Sequence, residues 1–269
     1  MKVAINACTH GGYAHCRQTR LAAEEFFRDA AEAGYDGVEL GGGERFLGTP
    51  KHCLRLLAKY HLAVAAYDTS VTYNPHRPNT RAYQADIRYG QAVGATILMT
   101  CGGFMYWHRR NTWPSDYDLF AGNLGRAMEY AARHGLTLAF HPHCGCIVET
   151  AAETRQMLRR LPELKLCVDI AHLEAAGEDA RRYCRQFRRQ IVYTHIKDFS
   201  HRHNSFIELG RGDGKLDVAA CVGELARAKY DGWLTVELDR GEKEFQRVGL
   251  TPLETARRCR RYLSNHCGV

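Results

Sequence analysis

The feature that most constrains the fold is an eightfold alternation of short apolar runs with segments of helical periodicity. The apolar runs, typical of strands buried on both faces, cover 2–6, 37–40, 62–67, 96–100, 136–141, 164–169, 191–195 and 233–237. The helical segments cover 19–33, 51–60, 79–93, 116–134, 150–160, 177–188, 216–229 and 252–264. Strict β–α order predicts a parallel sheet, and eight such units predict an α/β fold, a (β/α)8 TIM barrel.

The length of the chain fits a single barrel of this kind. Its 269 residues are ordinary for one α/β barrel, and no linker or low-complexity tract divides them, so we predict one domain over 1–269. The competing architecture is an open, doubly wound sheet, but no GxGxxG run follows the first strand, which disfavours it. Gly34, Gly135 and Gly232 each precede a predicted strand, where a left-handed residue closes the helix.

Composition argues for a globular cytoplasmic chain without nucleic-acid or membrane partners. The net charge of +7 concentrates in two helical segments, 177–190 and 252–263, whose arginines we interpret as solvated outer surface. No apolar stretch approaches a membrane span, and the first strand begins without the apolar region of a signal peptide. The sequence leaves a homo-oligomer open.

The eleven cysteines do not form a recognisable framework. None of them belongs to a CxxC pair, so neither a zinc ribbon nor a thioredoxin motif fits. In a chain that is not secreted, disulfides are not expected. We therefore interpret most of the cysteines as small buried hydrophobic residues.

Ionisable residues gather where the predicted strands end, which is where barrel enzymes carry their chemistry. The strand-end residues are Glu39, Tyr67, Asp68, Cys101, His141, His143, Asp169, His172, His195, Lys197, Asp198 and Glu237, with Glu149 further along. Such groups destabilise a barrel unless they are paired or bound to a ligand. Asp169, His195 and Glu237 follow consecutive strands and offer mixed oxygen and nitrogen donors. We therefore predict one divalent ion, of Mn, Co, Mg, Zn or Fe.

Several motifs together resemble the xylose-isomerase-like TIM barrels, the sugar phosphate isomerase and epimerase group. These motifs are YDGVEL at 35–40, CVDIAH at 167–172, THIKD at 194–198, GRGDGKLD at 210–217 and YDGWLTVE at 230–237. The resemblance covers nearly the whole chain. It implies a metal-dependent enzyme acting on a sugar-like or polyol-like small molecule. The family's ligands from strands 6, 7 and 8 correspond to Asp169, His195 and Glu237.

The end of strand 5 departs from the pattern of many family members, which have a glutamate ligand where this chain has His141. The run HPHCGCIVET at 141–150 resembles the inosose dehydratase branch. The resemblance implies that Glu149 is the fourth ligand in that branch, while His141 and His143 face either the substrate or the direct ligands of the metal. His141 is itself the alternative fourth ligand, because imidazole also suits these metals. An acidic residue in the first turn of a helix is the structural alternative for Glu149.

This departure favours a lyase over an epimerase. Ketose 3-epimerases, which the family includes, use two glutamates on opposite faces of the substrate, and here one of the pair is replaced. Imidazoles suit dehydration of a keto-polyol or keto-sugar through an enolate, since that reaction needs a base and an acid. We expect His141, His143 and Lys197 to fill these catalytic roles.

Four residues are expected to contact the substrate. These are Glu39, Trp107, His172 and Arg211. Trp107 lies in an aromatic-rich loop over 102–114 and Arg211 in a second loop over 199–214, and both loops are long enough to cover the barrel mouth. Packing of the loops against each other is the structural alternative.

Three other functions compete with the dehydratase. A sugar isomerase or ketose 3-epimerase is the first alternative. An endonuclease IV-like nuclease shares the barrel and the Asp-x-x-His of strand 6, but Asn204 and Phe206 stand where it needs an Asp and a His. A sugar-binding barrel with a lost site is disfavoured by the intact Asp169, His195 and Glu237.

Overall fold

The computed structural model describes residues 1–10, 20–73, 79–103, 113–239 and 249–269. Its strands are β1 (Lys2–Asn6), β2 (Gly37–Leu40), β3 (Ala63–Val71), β4 (Ile97–Gly102), β5 (Thr137–Phe140), β6 (Lys165–Asp169), β7 (Ile191–Ile196), β8 (Asp198–Ser200), β9 (Ser205–Ile207) and β10 (Trp233–Val236). Its α-helices are α1 (Arg20–Glu32), α2 (Gly43–Leu47), α3 (Pro50–Lys59), α4 (Thr80–Ala92), α5 (Pro114–Arg133), α6 (Ala151–Arg160), α7 (Ile170–Ala175), α8 (Ala180–Gln186), α9 (Val218–Arg227) and α10 (Pro252–Cys267), and a 3-10 turn covers Ala7–His10.

Eight of these strands close into a barrel. Their order is β1-β10-β7-β6-β5-β4-β3-β2, and every neighbouring pair is parallel. This confirms the predicted (β/α)8 barrel. The other two strands, β8 and β9, form an antiparallel hairpin directly after β7, within the segment that the sequence predicts as a loop.

Strand β3 is longer than its apolar pattern indicates. The prediction ends at residue 67, whereas the strand continues to Val71. Asp68 and Ser70 pair in register with Met99 and Cys101 of β4. Polar residues of low strand propensity are held extended by this ladder, because pairing with a neighbour outweighs intrinsic preference.

Side-chain caps set the helix boundaries after β6. Asp169 accepts the backbone N–H groups of Ala171 and His172, and α7 therefore begins directly at the end of the strand. Asp179 caps α8 by accepting the N–H of Arg182. The helix predicted over 177–188 is observed as the shorter α8, whose start is set by the Asp179 cap, and α7, which precedes that segment, was not predicted.

Two of the three glycines predicted to close helices do so. Gly34 and Gly135 have φ values of 84° and 77°. Between α9 and β10, however, the left-handed residue is Lys229, with φ 59°, and the prediction for Gly232 is wrong. Gly232 is instead needed for space, because a Cβ there would lie 2.5 Å from the hydroxyl of Tyr230.

The barrel interior below the mouth is packed with mostly small side chains. This inner cluster consists of Ala4, Ala65, Ala66, Met99, Ala139, Cys167 and Tyr193. A larger apolar cluster lies between the strands and the surrounding helices. Six of the ten described cysteines are buried and none of the ten is disulfide-bonded, in line with the sequence interpretation.

The basic segments lie on outer helices. Arg181, Arg182 and Arg185 of α8 are exposed, as are Arg257 and Arg258 of α10. This matches the interpretation of the net positive charge as solvated surface. Across the described ranges, no helix has the length and apolar character that crossing a membrane would require.

Candidate metal centre

Strand alternation turns a set of polar side chains toward the barrel axis at the mouth. Residues two apart in a strand point the same way. Cys167 and Tyr193 of the inner cluster are therefore followed by Asp169 and His195, which are paired in register. The buried polar residues of this layer are Asn6, Glu39, His141, Asp169, His195 and Glu237.

Lys197 joins three carboxylates at the centre of this layer. Its Nζ lies 2.6 Å from Asp169 Oδ2, 2.8 Å from Glu237 Oε2 and 3.1 Å from Asp239 Oδ2. Burial alone would lower the pKa of Lys197, but the charges of Asp169, Asp239 and Glu237 outweigh it and hold that pKa well above its usual value. The lysine is therefore a buried cation at physiological pH.

His195 lies between two carboxylates. Its Nε2 is 2.7 Å from Glu39 Oε2. Its Nδ1 is 2.9 Å from Glu237 Oε2, but the angles of this contact are not those of a hydrogen bond. Burial opposes a charge on the ring, but the two glutamates raise the pKa of His195 well above its usual value. Burial would likewise raise the pKa of Glu237, yet His195 and Lys197 lower it to about 2.

Four imidazoles are packed together at the mouth. The ring of His141 has its centroid 5.2 Å from that of His143, 5.3 Å from that of His172 and 4.9 Å from that of His195. Burial lowers the pKa of His141 well below its usual value, and the neighbouring imidazoles add to the effect. Burial and His172 lower the pKa of His143 to about 4. His141 and His143 are therefore neutral at physiological pH.

Three buried imidazole nitrogens in this cluster have no hydrogen-bond partner. They are Nε2 of His141, Nε2 of His172 and Nδ1 of His195. Buried polar atoms are nearly always paired, so such exceptions mark a site for a ligand or ion. Potential ligand atoms of His141, His195 and Glu237 all lie within 4.8 Å of one another, as do those of His141, Asp169 and His172.

The donor chemistry fits a divalent transition-metal ion. Imidazole nitrogen and carboxylate oxygen are the donors that zinc, manganese and cobalt accept. Asp169 reaches the cluster through Oδ2, since its Oδ1 caps α7. Asp169 and Glu237 are already ionised and His141 is neutral, and these are the forms that bind a metal ion. His195 is protonated, so it must release a proton before it can bind one.

Glu149 lies apart from these donor groups. Its Oε1 accepts the backbone N–H of Gly145 at 2.5 Å, and it lies just before α6, whose cap is Thr150. Among the described residues, no group of mutually close donors includes Glu149. His141, the alternative strand 5 ligand, belongs to two of those groups, so the geometry favours His141 as the fourth donor.

The other predicted substrate contacts have different surroundings. Glu39 is 1% exposed and bonded to His195, whereas His172 presents its unpartnered Nε2 within the cluster. Arg211 is exposed on a turn that Asp198 holds by accepting the N–H groups of Gly210 and Gly212. Substrate binding by Arg211 stays a prediction. Trp107 and the aromatic loop around it lie outside the described residues.

Sequence reasoning missed Asp239 and Phe206. Asp239 Oδ2 lies 3.5 Å from His172 Nε2 and belongs to a donor group with His143 and His172. Its position two residues beyond Glu237 was the available signal, because alternate residues of an extended segment share a side. Phe206 of β9 packs on His172 with ring centroids 4.5 Å apart, and it was not foreseen because the hairpin itself was not predicted.

The mouth also carries groups whose pKa values are raised, and Cys8 is close enough to Glu237 and Asp239 to form a further group of potential donors. Burial raises the pKa values of Cys8 and Cys101 well above normal, and the nearby carboxylates raise them further. Burial and the charge of Glu39 likewise raise the pKa of Asp68. Without a bound ion, the two thiols thus remain protonated.

The curated relatives of the chain include several dehydratases. An inosose dehydratase from Mesomycoplasma hyopneumoniae strain J is 26% identical over 90% of this chain and 88% of its own length. An inosose dehydratase from Geobacillus thermodenitrificans is 23% identical over 93% of this chain and 91% of its own length.

Solved structures of similar fold confirm the architecture. An L-ribulose 3-epimerase matches with a TM-score of 0.80 at 16% identity, over 99% of this chain and 94% of its own. The IolI protein with a bound zinc atom matches with a TM-score of 0.76 at 17% identity, over 100% and 98% of the two chains. The family model described as xylose isomerase-like TIM barrel matches residues 27–263. The chain therefore belongs to the xylose isomerase-like TIM barrel family.

Proposed function

We propose that the chain is a divalent-metal-dependent carbon–oxygen lyase that removes water from a keto-polyol or keto-sugar. The observation that carries this proposal is the set of buried donors in His141, Asp169, His195 and Glu237, with two imidazole nitrogens that lack hydrogen-bond partners. Curated relatives named inosose dehydratase support the choice of dehydration.

One ion would be held by His141, Asp169, His195 and Glu237, with Glu149 as the competing fourth ligand. When bound, such an ion would act as a Lewis acid toward the carbonyl oxygen of the substrate, where negative charge develops. The inner cluster below the donors closes the barrel. Substrate therefore approaches from the open end, where Asp239 is 36% exposed.

His143 and Lys197 carry the proton transfers in this proposal. The proton α to the carbonyl passes to the neutral imidazole of His143, and its bonding pair forms the new carbon–carbon double bond. The β-hydroxyl departs with its bonding pair and takes a proton from the Lys197 ammonium, so that water is the leaving group. Although the Lys197 pKa is raised, an ammonium is a far stronger acid than water. His141, which the sequence assigned to acid–base work, is here a ligand.

Incubation with candidate substrates tests the proposal. Protein loaded with Mn²⁺, Co²⁺ or Zn²⁺ is mixed with inosose, 3-keto-glucosides and common ketoses, and the products are followed by NMR. We expect loss of water and an unsaturated or diketone product, abolished by EDTA. Exchange of configuration at one carbon without loss of water would instead establish an epimerase. Turnover that is indifferent to EDTA would overturn the metal dependence.

A further inference from the structure

We propose that Glu39 is a positioning residue that fixes the tautomer of His195, so that Nδ1 is the nitrogen that binds the metal. The inference rests on the proposed metal centre. It assigns Glu39 a role behind the ligand in place of the substrate contact that the sequence suggested.

The contact between Glu39 and His195 is short and fully enclosed. Nε2 of His195 lies 2.7 Å from Oε2 of Glu39, and both side chains are 0% exposed. A carboxylate only accepts hydrogen bonds, so Nε2 keeps its proton, and the proton that His195 releases to bind an ion is the one on Nδ1. The lone pair available to an ion is then on Nδ1, which lies on the side of Glu237.

The second oxygen of Glu39 is also engaged. Asn6 Nδ2 donates to Glu39 Oε1 at 2.7 Å and lies 3.3 Å from Glu237 Oε1. The orientation of this amide is not arbitrary, because Asn6 Oδ1 accepts the backbone N–H of Cys8 at 2.6 Å. With both oxygens engaged and its side chain fully buried, Glu39 is poorly placed to contact a substrate.

This chain of contacts joins both sides of the barrel. Glu39 and His195 lie on β2 and β7, which are separated in the barrel by β1 and β10. Asn6 on β1 is paired in register with Glu39 and touches Glu237 beyond the end of β10. Four strands therefore fix the direction of the imidazole. A carboxylate behind a metal-bound imidazole sets its tautomer and raises its basicity, and losing it typically weakens metal affinity by about 10–100-fold.

Zinc binding and histidine NMR test the proposal together. In wild-type protein with 15N-labelled histidine and one equivalent of Zn²⁺, we expect His195 to retain its proton on Nε2 and bind zinc through Nδ1. In Glu39→Gln, where the amide can present an N–H to Nε2, we expect a Kd for Zn²⁺ about 10–100-fold weaker and loss of the single tautomer. Calorimetric titration measures the affinity without reference to activity.

Thr194→Val is the matched control. Thr194 is the buried neighbour of His195 and donates to Trp233 O at 2.7 Å, away from the cluster, so its loss should leave zinc affinity unchanged. Wild-type coordination through Nε2, or wild-type affinity in folded Glu39→Gln, would overturn the role of Glu39. A wild-type protein that binds no zinc, manganese or cobalt would instead refute the metal centre. The wild-type NMR result stands even if Glu39→Gln does not fold.

Discussion

At the scale of single residues, the mouth of the barrel holds opposite charges close together, and most of these charged groups are buried. Asp169 and Glu237 are buried, and Lys197 contacts both. Burying an ion pair is costly in itself, so such a pair is weak evidence for stability. Removing one partner is different, because the remaining charges lose their compensation. The buried carboxylates thus depend on Lys197 for charge compensation.

Lys197→Met should strongly destabilise the metal-free protein. It leaves two buried carboxylates without their cation, for which a loss of about 3–5 kcal/mol is typical. Lys59→Met is the control, since Lys59 pairs with Glu24 at 2.6 Å on the surface and an exposed pair contributes about 1 kcal/mol or less. Urea unfolding in EDTA measures both. Equal, small losses in the two variants would show that Lys197 does not hold the carboxylates together.

His143 should make the protein less stable in mild acid. The pKa of His143 is about 4 in the folded chain against 6.5 for a free histidine, so between these values the unfolded chain binds more protons. Stability then falls as pH drops from about 6.5 to 4, by up to about 1.4 kcal/mol per pH unit from this group. His143→Asn should flatten that part of the profile. Denaturant unfolding of metal-free protein at pH 7, 5.5 and 4.5 checks this, and parallel profiles would contradict it.

At the scale of elements, the strand ends are where sequence and structure agree best. Asp169, His195 and Glu237 follow apolar runs, and alternation alone turns them inward. Elements whose conformation depends on partners could not be predicted. The hairpin of β8 and β9 is held by strand pairing, as between Asp198 and Ile207, and no apolar pattern in the sequence predicts it. The choice between His141 and Glu149 likewise depends on loop geometry, since the backbone N–H of Gly145 engages Glu149.

The cap of α6 is a small, testable part of the same region. Thr150 accepts the N–H of Glu153 at 3.3 Å, and Glu153 in turn accepts the N–H of Thr150 at 2.9 Å. Thr150→Ala should lower the free energy of unfolding by about 1 kcal/mol, whereas Thr150→Ser keeps the hydroxyl and should lose much less. Chemical denaturation compares them. Equal losses in the two variants would mean that the methyl group, and not the cap, stabilises the helix.

At the scale of the whole molecule, the closed barrel explains why residues distant in sequence meet. Glu39 and His195 are 156 positions apart but bonded, because closure of the barrel leaves only β1 and β10 between β2 and β7. The sequence predicts this closure from the count of eight β–α units. It does not predict the distances between the polar side chains at the mouth. These distances depend on small inner residues such as Ala4 and Ala139, which leave space above them.

Metal content is the most direct test of the proposed centre. The test compares the wild type with His141→Gln and Glu149→Gln. Each protein is dialysed to remove its ions and reloaded with one metal, and its metal content is then measured by elemental mass spectrometry. We predict about one ion per chain in the wild type and in Glu149→Gln, and little in His141→Gln. A wild type without bound metal, or an ion that is kept in His141→Gln and lost in Glu149→Gln, would contradict the centre described above.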